Sequence, residues 1–250
     1  MNKIEVVPLG TVSPYCKESK NCPGFLIKYK NSNIMLDCGN GTTRLMNLPD
    51  DLNNLKVFIS HLHPDHYGDI SSLAQAALVY KRLGMLEKNI EVFIPNGDIE
   101  SDYDYIQNFK HKHPVTIYDI IGKSIENDDL KISFLKVPHD ITTFAIKIDT
   151  PAGSIVYSGD TGTKNNIREF AKECDLFICE STFLEGQYRK DDVHLYAKDA
   201  ALIAKDADVK KLLLTHFWPE IDKNEYKKEA KKYYENTEVA EEGKKLILKR

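Results

Sequence analysis

Apolar positions alternate along the chain between short β-branched runs and longer stretches of helical period. In the first half the short runs are Ile4–Pro8, Gly24–Lys30, Asn33–Leu36, Val57–Ser60 and Val92–Pro95, bounded by Asn, Gly or Pro, and they predict strands. Between them Gly41–Leu48, Ile70–Leu83 and Asp102–Lys110 carry helical spacing. The second half repeats the pattern. Strands are predicted over Leu130–Pro138, Thr143–Thr150, Ser154–Tyr157, Leu176–Ile178 and Leu212–Thr215, and helices over Lys164–Lys172, Tyr196–Lys205 and Asn224–Glu235. A last strand, Lys244–Leu248, follows a Glu-Glu-Gly turn. Two successive halves that each mix strands with helices predict two sheets packed together with helices outside. No linker, repeat or low-complexity run divides residues 1–250, so a single domain is expected.

Composition narrows the class. The 34 Lys and Arg against 38 Asp and Glu leave a formal charge of −4, which argues against a basic nucleic-acid-binding face. At 42% hydrophobic and 29% charged, the chain reads as a soluble globular protein. No apolar run is long enough for a membrane span, and the N-terminus lacks a secretory-signal pattern. Five scattered cysteines (Cys16, Cys22, Cys38, Cys174 and Cys179) read as reduced, core or incidental thiols, so a cytoplasmic location is expected. The eight histidines change the picture, because three of them fall within six residues.

Ser60-His61-Leu62-His63-Pro64-Asp65-His66 directly follows a predicted strand. Alternation along an extended segment puts His61 and His63 on one side, and a turn after Pro64 can bring Asp65 and His66 to the same volume. Imidazole and carboxylate are ligand types that zinc, manganese and iron(II) accept. Three further residues sit after predicted strands: His139, Asp160 in Ser158-Gly159-Asp160-Thr161-Gly162, and His216. Strand ends are where open sheets place their sites.

The set His61, His63, Asp65, His66, His139, Asp160 and His216 resembles the metallo-β-lactamase superfamily over nearly the whole chain. The resemblance implies an α/β (α+β) fold, a four-layer αββα sandwich with a two-metal site at one edge. It implies that His61, His63 and His139 bind a first metal, that Asp65, His66 and His216 bind a second, and that Asp160 bridges them. Asp37, in Leu36-Asp37-Cys38-Gly39, matches a carboxylate that orients metal ligands. Two divalent ions about 4 Å apart, zinc first and manganese or iron(II) as alternatives, would deprotonate a bridging water that attacks the substrate. No nucleophile-elbow motif competes with that scheme.

Smaller features are most similar to the ribonuclease Z branch: Leu9-Gly10-Thr11, the Asn21 region, Leu36-Asp37-Cys38-Gly39-Asn40-Gly41-Thr42, Glu180-Ser181-Thr182-Phe183, His194, and Leu214-Thr215-His216-Phe217. That likeness implies Glu180 and His194 as catalytic residues beside Asp65, with His194 protonating the leaving oxygen. Two departures stand out. The branch's Gly/Pro-rich tRNA-gripping arm has no room between His139 and Asp160, and Phe217-Trp218-Pro219-Glu220 replaces its Ser- and Arg-containing stretch. Without the arm, and with a net negative chain, a small phosphodiester such as a cyclic nucleotide is the expected substrate, in place of a large nucleic acid. A lactone or carboxylic (thio)ester hydrolase and a tRNA 3′ endonuclease are the alternatives. If the chain self-associates, a dimer is expected.

Other features divide between bland and functional readings. Lys110-His111-Lys112-His113 reads as a solvated loop, and Lys223–Lys232, with Glu225 and Glu229, as a salt-laced exposed helix. Trp218, the only tryptophan, suits either a pocket wall or the core, and Phe183 and Tyr188 either a lid or a plain loop.

Overall fold

A computed structural model describes residues 3–96, 98–120, 124–127, 129–164, 166–187 and 192–249. The first half forms β1 (Lys3–Gly10), β2 (Gly24–Tyr29), β3 (Ser32–Leu36), β4 (Leu55–Phe58), β5 (Ile90–Ile94) and β6 (Val115–Asp119). The second forms β7 (Ile125–Asn127), β8 (Leu130–Val137), β9 (Thr143–Thr150), β10 (Gly153–Tyr157), β11 (Leu176–Glu180), β12 (Leu212–Thr215) and β13 (Thr237–Val239). A final strand, β14 (Leu246–Lys249), returns to the first sheet. The helices are α1 (Pro64–Tyr67), α2 (Ile70–Arg82), α3 (Glu100–Gln107), α4 (Ile167–Phe170), α5 (Ala197–Asp206) and α6 (Lys223–Ala230).

The sheets run β14-β1-β2-β3-β4-β5-β6 and β13-β12-β11-β10-β9-β8-β7. Each has three antiparallel pairings at one side and three parallel ones at the other. Parallel strands finish together, so β3 and β4 deliver their following loops to one edge, as do β10, β11 and β12. Register sharpens this: Leu36 pairs with Phe58, and Glu180 with Thr215.

Between the sheets lies an apolar layer that includes Ile27, Ile34, Phe58, Ile146, Ile148, Ile155 and Leu213. The outer face of the first sheet packs on α2 through Ile70, Leu73, Ala74 and Ala77, the i, i+3, i+4, i+7 stripe that its sequence carries. The outer face of the second packs on α5 through Ala197, Ala200, Ala201 and Ala204, whose small side chains permit close approach. The expected two-sheet αββα layering is therefore present. No helix among the described residues is long and apolar enough to cross a membrane.

Several elements differ from their sequence patterns. Gly41–Leu48 makes only a 3-10 turn, Thr42–Leu45, because Gly41 sits at φ 88° and Pro49 follows. Lys164–Lys172 shrinks to α4, and Asp102–Lys110 divides into α3 and the 3-10 turn Asn108–His111. Strands β6, β7 and β13 are unanticipated; all three lie at sheet edges and are five residues long or shorter. The Lys223–Lys232 segment is not wholly a solvated face. Glu229 is buried and accepts from the backbone N–H groups of Glu185 and Lys198, which ties α6 to the start of α5. All five cysteines are free thiols; four are buried, and Cys16 is exposed.

The inter-sheet layer sets a stability expectation. Ile148→Ala, at a fully buried position, should lower unfolding free energy by about 2–5 kcal/mol in urea titrations.

Candidate metal centre

The predicted ligand positions emerge in the segments that follow β4, β8, β10 and β12, while Glu180 ends β11 and His194 lies just before α5. The strand β4 ends at Phe58, two residues short of Ser60; the chain bends at Ser60 and His61, and His63 is extended where α1 begins at Pro64. Helix α1 turns Asp65 and His66 back toward the histidines. Close backbone packing holds this loop: a Cβ at Gly39 would meet Asp65 O at 2.2 Å, so only glycine fits there. Asp37 and His216 occupy left-handed backbone, at φ 56° and 63°. Such conformations cost energy and concentrate at functional sites.

The seven predicted ligand positions come together. Two sets converge within 4.8 Å: His61, His63, His139 and Asp160 in one, Asp65, His66 and His216 in the other. His63 Nδ1 lies 3.0 Å from His61 Nε2 and 3.2 Å from His139 Nε2. Asp160 Oδ2 stands between the sets, 3.6 Å from His61 Nε2, 3.4 Å from His66 Nε2 and 3.1 Å from His216 Nε2. Asp65 Oδ2 is 3.6 Å from His66 Nε2 and accepts from Ser13 Oγ at 2.7 Å. A third trio, Asp160, His194 and His216, also converges.

The outward ring nitrogens define the tautomers. His66 Nδ1 faces the Asp37 carboxylate at 2.7 Å, and His139 Nδ1 faces the Val193 carbonyl at 3.0 Å. Both partners only accept, so both rings carry a proton there, and Nε2 is the nitrogen turned toward the cluster. Two hydroxyls extend the logic. Ser60 Oγ spends its one hydrogen on Asp37 Oδ2 at 2.9 Å and so accepts from His61 Nδ1 at 3.0 Å. Thr182 Oγ1 donates to Glu180 Oε2 at 2.9 Å and accepts from His216 Nδ1 at 2.8 Å. Four Nε2 atoms thus face one volume, where Asp160 Oδ1 is buried with no hydrogen-bond partner among the described residues. Lone pairs and an unmet carboxylate oxygen fit a cation, and the residue types fit zinc or a similar divalent ion.

Electrostatics agree. Burial, with His66 adding to it, holds His61 well below its usual pKa; burial likewise lowers His63. Burial opposes charge on Asp160, yet His216, His66 and His61 outweigh it and hold the carboxyl well below the usual range. For His66 burial is also outweighed, by Asp160, Asp65 and Asp37, so its pKa rises and a cation must displace its proton. His194 resists its burial through Glu180, whose Oε1 lies 3.1 Å from Nδ1, and is raised to about 9. Glu180 is itself held by Thr161 N at 2.7 Å and Leu195 N at 3.2 Å.

Asp140 is a member of the site that sequence spacing did not single out. Its half-exposed carboxylate lies 3.0 Å from His139 Nε2 at the open rim. Ser60, Tyr157, Thr182 and Ser13 were also overlooked, since a hydroxyl carries no ligand signature. The Lys110–His113 tract stays apart from the cluster, with His113 near Gln75. Trp218 is 41% exposed and so is not a core residue. Phe183 sits with its ring 6.1 Å from that of His194, while Tyr188 lies outside the described residues.

Comparison with known proteins follows the same line. A family model described as a beta-lactamase superfamily domain matches residues 32–217. The probable metallo-hydrolase YhfI of Bacillus subtilis (strain 168) is 27% identical over 215 residues, covering 85% of this chain and 86% of its own length. Ribonuclease Z of Thermococcus sibiricus is 26% identical over 285 residues, covering 93% and 92%. The crystal structure of B. subtilis YhfI has the same fold, with a TM-score of 0.87 at 23% identity over 99% of this chain and 100% of that one. The short form of human tRNase Z does too, at a TM-score of 0.75 and 21% identity over 97% and 98%. By fold, family match and the His/Asp cluster that can hold metal ions, the chain belongs to the metallo-β-lactamase superfamily of hydrolases.

Proposed function

We propose that this protein is a two-metal phosphodiesterase that cleaves small or nucleotide-like phosphodiesters, cyclic nucleotides among them. His61, His63 and His139 would hold one ion and Asp65, His66 and His216 the other, with Asp160 placed between the two sets. Bound divalent ions supply Lewis acidity and lower the pKa of the attacking water. The chain's own residues do the rest.

The observation that carries the reading is the His194–Glu180 pair beside Asp160. Glu180 Oε1 faces Nδ1 at 3.1 Å and favours the protonated ring, while the imidazole keeps partial access to solvent. A protonated imidazole at that place can give its proton to a departing alkoxide, which a phosphodiester with a sugar leaving group needs. Relatedness to ribonuclease Z, an enzyme that by name acts on RNA, supports phosphodiester chemistry. The short hairpin between His139 and Asp160 supports a small substrate. Only β9, β10 and the turn at 151–152 occupy that interval, where a tRNA-gripping arm would have to emerge. The net charge of −4 likewise favours no extended polyanion.

Three outcomes test this. With zinc- or manganese-loaded protein, a cyclic nucleotide or a dinucleotide should be hydrolysed, and Asp160→Ala or His66→Ala should cut turnover by about a thousandfold or more. A protein that leaves every phosphodiester intact but opens a lactone overturns the reading. Next, His194→Ala should lower kcat on alkyl diesters by about 10²–10⁴ and act far less on nitrophenyl diesters, whose leaving groups need no acid. Elemental analysis should find its two ions retained; loss of one ion would make His194 a ligand. Finally, the acid form of His194 is lost as pH rises. Bound dications lower the ion-free value of about 9, so the alkaline limb on alkyl diesters should lie below that pH. Glu180→Gln removes the charge that favours the protonated ring and should move the limb to lower pH by about 1–3 units.

A further inference from the structure

The carboxylate of Asp37 receives four hydrogen bonds. Oδ1 accepts from Ser60 N at 2.6 Å; Oδ2 accepts from Ser60 Oγ at 2.9 Å, His66 Nδ1 at 2.7 Å and Tyr157 OH at 2.6 Å. Asp37, Ser60 and His66 all follow strands of the first sheet. Tyr157 alone comes from the second, at the last residue of β10, three residues before Asp160. One strand therefore carries both the shared carboxylate and a hydrogen bond to the group that orients His66 across from it.

We infer that Tyr157 is a positioning residue for the second ion. Its hydroxyl, donated across the sheet interface, fixes Asp37 so that His66 turns its Nε2 to Asp160 and His216. The inference rests on the ligand set of the proposed function. Without this donor, the Asp37 carboxylate that orients the His66 ring would be held only by groups of its own sheet. The phenol is suited to the task. It is buried, so no water competes for Asp37 there, and burial together with Asp37 keeps its proton on through the physiological range. The ring is anchored separately, against Phe25 at a centroid distance of 5.8 Å. Hydroxyl and ring can therefore be tested apart.

The test is zinc binding by chelator competition, with thermal melts alongside, on wild type, Tyr157→Phe and Phe25→Leu. In Tyr157→Phe one of the two zinc dissociation constants should rise by about tenfold or more, the other staying within about twofold. Phe25→Leu, which loosens the ring and keeps the hydroxyl, should leave both constants in place even if its melting temperature falls. Wild-type constants in Tyr157→Phe overturn the inference alone, as does an equal loss in Phe25→Leu. A wild-type protein that binds fewer than two zinc ions overturns the ligand set itself.

Discussion

A histidine can offer a lone pair to a cation only when its other ring nitrogen holds the proton, and the packing around this site serves that constraint. Asp37, Val193 O, Ser60 and Thr182 each take an N–H from a ring whose opposite nitrogen faces the cluster. The two hydroxyls can accept only because a carboxylate has already taken their hydrogen. The two sheets contribute matching sets: Asp37, Ser60 and His61 from the first, Glu180, Thr182 and His216 from the second. In each, a carboxylate at the end of a parallel strand reaches a histidine through a hydroxyl: Ser60 lies on the neighbouring loop, Thr182 on the loop that Glu180 itself begins.

This arrangement is costly in isolation. Asp37, Asp160 and Glu180 are buried carboxylates, and Asp37 and His216 hold left-handed backbone. Burial of charge is tolerated only when hydrogen bonds and opposite charges compensate. Asp37 and Glu180 are saturated by donors from the protein. Asp160 is the exception, with one oxygen unmet, and it sits where the histidine lone pairs converge. Among the described residues, Asp160 is thus the buried carboxylate with an unmet oxygen, at the point a cation would fill. Three apolar layers, one between the sheets and one under the helices on each side, supply the stability that lets the edge be so polar.

Much of this was legible in the chain. The runs Val57–Ser60 and Leu212–Thr215 mark strands because buried parallel strands are continuously apolar, and the histidines after them mark a site because few other roles put three in six residues. The stripe of α2 and the alanines of α5 were readable for the same reason: a helix that buries one face must repeat at that period. Edge strands such as β7 and β13 were not readable, being three residues long with mixed exposure. Glu229 looked like one of several charges on a solvated helix, since nothing local shows that two distant N–H groups need an acceptor.

By itself, then, the sequence determined most of the elements, the layering and the identity of the His and Asp side chains that gather at one edge, because each follows from local periodicity or residue chemistry. Only the tertiary structure decided which ring nitrogen faces the cluster, that Glu180 holds both His194 and Thr182, and that Tyr157 reaches across to Asp37. Those pairings join residues up to 120 positions apart. A hydroxyl or carboxylate has no preferred partner until two sheets fold face to face and leave it one within reach.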